Sequence, residues 1–336
     1  MAGGAYGGGM RAIQALRPGG PEVLALVELP DPEPGPGELL VDVDAAGVNF
    51  IDTYRRSGVY PLPFPHVVGS EGAGRVAAVG ADVDGWAVGD LVAWENAPGS
   101  YAERTLLPAR SALPVPAGLD LRTAAALPLQ GITAHYLVAS TFPVQAGQDV
   151  LVHAAAGGVG LLLTQLAATR GAHVIATVST PEKEALARAA GAADVIRYTE
   201  LEDVARDLPA AVRARTGGAG VHVVYDGVGR STFDASLASL RRRGYLVLFG
   251  AASGRVEPVD PQRLNAAGSV YLTRPKIGDY TADRDELLWR SGEVFDAALA
   301  GSLDVRIGLE LPLAEAAEAH RALEGRRTTG KVVLVP

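Results

Sequence analysis

Apolar and polar positions alternate along "ELLVDVDAAGV", residues 38–48, in the period of two expected of a half-buried strand. "GRVAAVGADV" and "GDLVAWE" read as further short strands joined by glycine turns. "GPEVLALVELPDPEPGPGE" runs into a proline-rich turn region. The first ~130 residues therefore predict a β-rich segment, folded as a compact barrel. From about Leu121 the pattern changes. "DVLVHAA" is a short buried strand, and "GVGLLLTQLAATRG" is a helix ending at Gly171. The strand "HVIATVS" precedes the helix "TPEKEALARAAG", with Thr180 as N-cap and Pro181 at its first position. The strand "DVIRYT", a helical stretch over 201–215, the strand "VHVVYDGVG", a helix to Leu240 and the strand "GYLVLFG" follow, with "SVYLTRP" as a sixth strand. Alternation of this length predicts a doubly wound parallel sheet. Helices over 283–300 and 314–324 and a strand "GKVVLVP" close the chain, which places its end back in the first domain.

Composition narrows the class. The 336 residues are 48% hydrophobic and 20% charged, as in an ordinary globular protein, and long enough for two domains. The net charge of −8 argues against a general nucleic-acid or anionic-membrane partner. With no cysteine there is no disulfide, thiolate zinc site or thiol nucleophile. The opening "MAGGAYGGG" has neither a basic n-region nor an apolar core, and reads as a flexible lead over 1–9. The apolar stretch 150–169 is long, but its glycine cluster with Thr164 and Gln165 fits strand, turn and buried helix better than a membrane span.

The chemistry concentrates after the strand "DVLVHAA". A strand, then Gly157-Gly158-Val159-Gly160, then a helix is the setting of a dinucleotide loop. Gly157 admits a pyrophosphate close to the backbone, and Gly160 lets the helix pack on its strand. The new helix N-terminus offers unpaired amides and a positive dipole end. Ala155 replaces the first glycine of the usual G-x-G-x-x-G, which an alanine tolerates only at negative φ. A glycine-rich turn packed for structural reasons is the alternative.

The end of the second strand bears on which cofactor. NAD sites place an acid there. Here "ATVSTPEK" offers Thr177, Ser179 and Thr180, then Lys183, with no acid before Glu182. Hydroxyls, a helix N-terminus and a lysine suit an extra phosphate, which favours NADP. Lys183 is otherwise a solvated helix residue.

Several segments together resemble the zinc-free quinone oxidoreductases of the medium-chain dehydrogenase/reductase superfamily, the bacterial NADPH:quinone oxidoreductase and ζ-crystallin group. They are "GGPEVL", "GVNFIDTYRRSGVYP", "GSEGAGRV", "HAAAGGVGLLLTQLA", "VVYDGVGRSTF", "RRRGYLVLFGAASG", "YLTRP" and "AHRALEGRRTTGKVVLVP". The likeness runs from about Met10 to Pro336. It implies an α/β protein: a GroES-like β-rich catalytic domain over 10–130, completed by 275–336, and a Rossmann domain with a doubly wound parallel sheet over 131–274. It further implies a cytoplasmic homodimer with NADPH in an interdomain cleft. By this resemblance Asn49, Phe50, Asp52, Thr53 and Tyr54 line the nicotinamide side, and Gln130 and Thr133 lie at the domain junction. Ser179, Lys183 and Tyr198 surround the 2′-phosphate. Gly227, Val228, Phe249, Gly250, Ala251, Leu272, Thr273, Arg274 and Arg326 complete the groove, with Gly157, Gly158, Val159 and Gly160 beneath the pyrophosphate. Zinc-dependent relatives carry a cysteine near "NFIDTY" and a histidine before the glutamate of "GHEGAG". Asn49 and Ser70 stand here instead, so no metal is expected. His66 does not take the ligand place, and reads as a loop residue.

The implied reaction is hydride transfer from NADPH to a quinone or another conjugated carbonyl, without metal. Asn49 and Tyr54 are the polar candidates for the substrate oxygen; Tyr54 is a proton donor or a packing aromatic. Reduction of an enoyl or alkenal double bond is an alternative activity. A non-enzymatic, NADPH-binding structural or RNA-binding role is a third reading, against which the net charge counts. Arg241-Arg242-Arg243 reads as a solvated helix end rather than a nucleic-acid contact.

Overall fold

The computed structural model describes residues 9–336. The lead expected over 1–9 lies outside them except for Gly9, which opens a strand. The chain divides into two compact units, residues 1–129 with 291–336, and residues 130–290.

In chain order the first unit begins with β1 (Gly9–Ala15), β2 (Leu24–Pro30), β3 (Glu38–Val48), α1 (Phe50–Arg56), β4 (His66–Val67), β5 (Glu71–Val79), β6 (Leu91–Trp94), β7 (Arg104–Pro108), β8 (Leu113–Pro114) and α2 (Leu121–Ala126). Helix α3 (Pro128–Tyr136) leads into the second unit. That unit holds β9 (Asp149–Val152), α4 (Gly158–Thr169), β10 (His173–Val178), α5 (Pro181–Ala189), β11 (Asp194–Arg197), α6 (Val204–Arg215), β12 (Val221–Asp226), α7 (Phe233–Ser239), β13 (Leu240–Leu248), α8 (Pro261–Ala266), β14 (Tyr271–Thr273) and α9 (Ile277–Tyr280). Helix α10 (Arg284–Leu299) leads back to the first unit, which ends in β15 (Ile307–Pro312), α11 (Ala316–Glu324) and β16 (Lys331–Val335).

In the first unit the alternation read in 38–48 holds at 41–44, while residues 39–41 and 45–48 are buried without alternation. Leu39, Val41 and Val43 face a core with Val76, Val92, Trp94, Tyr101 and Leu334, while Asp42 is exposed. The strands do not close into the expected barrel ring. They form a three-stranded sheet, β2-β1-β4, and a branched seven-stranded one, β15-β16-β3-β5-β6-β8 with β7 on β3. The branch arises because β3 spends one edge on β5 and divides the other between β7 at Glu38–Asp42 and β16 at Ala46–Val48. Strand β16 is the return of the chain end to the first unit.

The second unit is an all-parallel six-stranded sheet of order β11-β10-β9-β12-β13-β14. This is the doubly wound order, with its switch point between β9 and β12. Leu151, Ile175, Val224 and Leu246 pack there with Leu208 and Phe233 from the helices.

Several expectations shift. Helices α1 and α2 are too short to show periodicity; local caps hold them, as where Asp120 accepts from the Thr123 amide at 2.9 Å. Strand β15 was also missed, because its half-buried "IGLELP" lies beyond the βα alternation. Arg241–Arg243 belong to β13, not to a helix end: α7 stops at Ser239, and the three arginines are exposed strand residues. Tyr198 follows β11 in a short 3-10 turn rather than lying within the strand. Residues 275–290, expected with the first domain, fall in the second unit. There Tyr280 stacks on Tyr136 at 4.2 Å, and Arg290 donates to His135, Ser140 and the Tyr280 carbonyl.

Candidate functional site

In the second unit the parallel strands end in register. Val152 pairs with Ala176, Val178 with Arg197, Val152 with Tyr225, Asp226 with Leu248, and Val247 with Thr273. The segments that follow these ends therefore gather on one edge of the sheet, where open α/β sheets bind ligands. They carry Gly157–Gly160, Ser179, Lys183, Tyr198, Gly227, Val228, Phe249–Ala251 and Leu272–Arg274.

The loop after β9 resolves the missing glycine. The left-handed residue is Ala154, at φ 50°, whereas Ala155 keeps negative φ and is fully buried. Intrahelical bonding in α4 begins with the Leu161 amide on the Gly157 carbonyl, so the amides of Gly158, Val159 and Gly160 precede it. A Cβ on Gly160 would lie 2.8 Å from the Ala155 Cα, so no side chain fits between helix and loop. A Cβ on Gly157 would meet only the Ala154 oxygen, at 3.2 Å. What Gly157 leaves open is thus space outside the fold rather than a packing contact. The Gln130 side chain lies against Gly158. Thr133 is buried, with its hydroxyl bonded to Tyr136.

Of the three hydroxyls at the end of β10, two are used locally. Thr177 bonds to His153 at 2.9 Å, and Thr180 caps α5 at the Lys183 amide. Ser179 follows β10, Lys183 is half-buried in the first turn of α5, and Tyr198 follows β11, with no acid before exposed Glu182. The residues thus suit a dinucleotide with an added phosphate: Gly157 open to a pyrophosphate, two helix N-termini, and a lysine where an acid would repel the charge.

A buried network missed by the sequence reading lies behind the loop. Asp226 accepts from the amides of Val228 and Gly229 and from the hydroxyls of Thr232 and Ser236. The Ser236 hydroxyl is committed to Asp226, so it accepts from His153 Nε2 at 3.0 Å, and His153 Nδ1 accepts from Thr177. Burial holds the His153 pKa below its ordinary value, against the pull of Asp226. This network joins the ends of β9, β10 and β12. Its only sequence signal was a polar residue inside an apolar strand.

In the first unit Asn49 is the N-cap of α1, and its amide donates to Asp52 Oδ2 at 2.9 Å. Asp52 is fully enclosed. It also accepts from the hydroxyls of Ser70, at 2.6 Å, and Tyr101, at 3.0 Å. Burial raises its pKa; the bonds from Ser70, the Asn49 amide and Tyr101 oppose the rise. Two consecutive arginines feed this carboxylate. Arg55 donates to Ser70 at 2.6 Å. Arg56 donates to His320 Nδ1 at 2.9 Å, which leaves the proton on Nε2 for the Tyr101 oxygen at 3.2 Å. Burial, then the Arg56 charge, drives the His320 pKa down to about 3. Every bond in both chains points toward Asp52.

Thr53 is buried, with its hydroxyl on the Phe50 carbonyl. Phe50, Tyr54 and Tyr60 form a run of rings with centroids 6.2 and 5.5 Å apart. The Asn49 carboxamide is engaged internally: Nδ2 donates to Glu71 at 2.7 Å, and Oδ1 accepts from Lys331 at 2.9 Å. Glu71, Lys331, Tyr101, Arg56 and His320 were not read as site residues. They lie far apart in the chain and meet only through the fold. Arg326 is exposed after α11 in left-handed backbone, at φ 57°. Among the described residues no group of three or more His, Cys, Asp or Glu is placed to hold a metal. Ser70, in the metal-ligand place of the zinc-dependent relatives, serves Asp52 instead.

Residues 35–117 match the family model of the alcohol dehydrogenase GroES-like domain, and residues 158–281 that of the zinc-binding dehydrogenases. The chain is 45% identical to a quinone oxidoreductase of Pseudomonas aeruginosa, over 97% of this chain and 99% of that one. It is 41% identical to a 2-haloacrylate reductase of Burkholderia sp, over 95% and 96%. A mycobacterial protein solved in complex with NADPH superposes with a TM-score of 0.93, at 53% identity, over 97% of this chain and 100% of that one.

Proposed function

The chain belongs to the zinc-free quinone oxidoreductases of the medium-chain dehydrogenase/reductase superfamily, and from that membership we propose that it reduces quinones by hydride transfer from NADPH. The carrying observation is the C-terminal edge of the six-stranded sheet, where open Gly157 precedes α4 and where β10 is followed by Ser179 and Thr180, with no acid before Glu182, and then by Lys183. The cofactor, when bound, supplies the hydride; the quinone takes up two electrons and two protons, the second proton coming from solvent. The chain's own residues bind and orient. The α4 amides take the pyrophosphate, and Ser179, Lys183 and Tyr198 take the 2′-phosphate. Gln130, Thr133, Gly227, Val228, Phe249–Ala251, Leu272–Arg274 and Arg326 complete the cofactor's surroundings. Asn49, Phe50, Asp52, Thr53 and Tyr54 form the nicotinamide side. With its carboxamide engaged, Asn49 orders that side, and the Tyr54 ring gives a flat acceptor an aromatic wall. The test is anaerobic NADPH oxidation with a panel of quinones; absence of turnover with every quinone rejects the reading.

A second reading, reduction of a conjugated carbon–carbon double bond, is supported by the 2-haloacrylate reductase among the relatives. Turnover with acrylates or enoyl thioesters and none with quinones selects it. We also propose a homodimer formed along β14, the edge strand of the six-stranded sheet, which displays Tyr271 at 51% exposure. Sedimentation at the mass of a single chain rejects that. No helix among the described residues is long and apolar enough to cross a membrane. The family resemblance supports a cytoplasmic location, and the net charge of −8 counts against nucleic-acid partners.

A further inference from the structure

Lys331 and Glu71 form an ion pair inside the first unit, both essentially without exposure. A buried pair of this kind is weak evidence for stability, because desolvation offsets attraction. Its partners indicate another role. One oxygen of Glu71 accepts from Lys331 and from Asn49 Nδ2; the other accepts from the Leu129 amide at 2.7 Å. Lys331 donates in turn to Asn49 Oδ1. The Asn49 carboxamide thus lies between a cation and an anion. Turning it over would set its NH2 against the ammonium and its oxygen against the carboxylate, replacing two charge-assisted bonds with repulsions. Room for the pair comes from Gly47, where a Cβ would meet Lys331 Cε at 2.8 Å and the Ala125 oxygen at 2.9 Å.

We propose that Lys331, with Glu71, is a positioning residue for the reaction: the pair holds the Asn49 carboxamide in a single orientation and ties the Leu129 amide to the same carboxylate. This rests on the reading that Asn49 lines the nicotinamide side. Burial lowers the Lys331 pKa, and Glu71 opposes that, so the pair relies on its own closed set of partners rather than on solvent. Leu129 directly precedes Gln130, so the same carboxylate bonds to Asn49 and to the residue next to Gln130; Asn49 and Gln130 both belong to the cofactor reading.

The test uses three variants of the full-length protein: Lys331→Met, Lys331→Arg and the neutral pair Glu71→Gln/Lys331→Met. In the neutral pair the Gln oxygen keeps the Leu129 amide. Its NH2 faces Asn49, which then turns its own oxygen inward, so the fold survives with the carboxamide reversed. Misplacement of a reacting partner by about 1 Å costs on the order of 100-fold in rate, so kcat for quinone reduction is expected to fall at least about tenfold in both Met-containing variants. KM for NADPH is expected to stay within about threefold, since the phosphate contacts lie in the second unit. Lys331→Arg keeps the charge but not the single-atom geometry, and is expected to retain more of kcat than either. A folded neutral pair with wild-type kcat overturns the proposal, and so does a loss confined to KM for NADPH. If the Met-containing variants do not fold and Lys331→Arg either runs at wild-type kcat or fails to fold, the pair serves folding alone and the proposal fails. A lowered kcat in folded Lys331→Arg then supports it. Turnover by the wild-type enzyme tests the quinone reading itself, and only the ratio of variant to wild type tests this one.

Discussion

Gly157 and Gly160 stand three residues apart, yet they are expected to fail in opposite ways when each is changed to alanine. At Gly160 the new methyl would press on backbone, 2.8 Å from the Ala155 Cα and 2.9 Å from its carbonyl carbon. The loop must move off α4, and overpacking of this kind costs about 1–3 kcal/mol. For a unit of this size that lowers Tm by roughly 2–4 °C per kcal/mol. Gly157 has φ −78° and ψ 173°, extended backbone that any residue adopts, and its added methyl meets one oxygen at 3.2 Å. There the entropy gained by restricting the unfolded chain, about 0.4–1 kcal/mol, offsets the close contact. Gly157→Ala should therefore unfold within a few degrees of wild type. The same methyl intrudes where a pyrophosphate approaches the α4 amides. Each hydrogen bond to a charged group is worth about 1.5–3 kcal/mol, so losing one weakens NADPH roughly 10- to 150-fold. Differential scanning calorimetry reads the first quantity, and titration of NADPH fluorescence the second. The reasoning is refuted if Gly157→Ala binds NADPH within about threefold of wild type, ~0.7 kcal/mol, or if it loses as much Tm as Gly160→Ala.

Lys183→Ala is expected to weaken NADPH roughly 10- to 150-fold and to leave NADH nearly unchanged, as read by paired titrations. Two histidines give stability opposite pH slopes. His320, at about 3 when folded against an unfolded value near 6.5, stays neutral while the unfolded chain takes up a proton. Stability therefore falls by about 1.4 kcal/mol per pH unit as pH drops below ~6.5, and His320→Gln should flatten that slope in urea melts. Burial opposes charging of His173, but the carboxylates of Asp149 and Asp194, at 2.8 and 2.9 Å, prevail and raise its pKa. Its contribution is complete below ~6.5 and is lost as pH rises through the raised value; His173→Gln melts compared across that range should show no such loss. Arg290, fully buried among His135, Ser140, Glu286 and the Tyr280 carbonyl, should cost about 2–4 kcal/mol when changed to methionine and leave NADPH affinity intact.

The parallel sheet was legible because its strands are short apolar runs alternating with helices, some with their own start signal, as at Thr180 and Pro181, where the predicted cap forms. The glycine loop was legible for the same reason: its chemistry is spelled by adjacent residues. The left-handed residue one place before the expected position was not, since that depends on how the loop leaves β9. The arginine run was misread because α7 ends at Ser239; the run then falls in the irregular part of β13, between its pairings with β12 at Leu240 and at Tyr245. The Asp52 hub was invisible. Its members come from α1, residues 70 and 101, and α11, separated by up to 268 positions, and none is unusual alone. By itself, then, the sequence determined the βα alternation, the cofactor loop and the absence of an acid at the end of the second strand of the nucleotide unit, all set by neighbours along the chain. Only the tertiary structure decided which polar groups are enclosed together, because burial turns ordinary residues such as Lys331, Glu71 and His320 into groups that must satisfy one another.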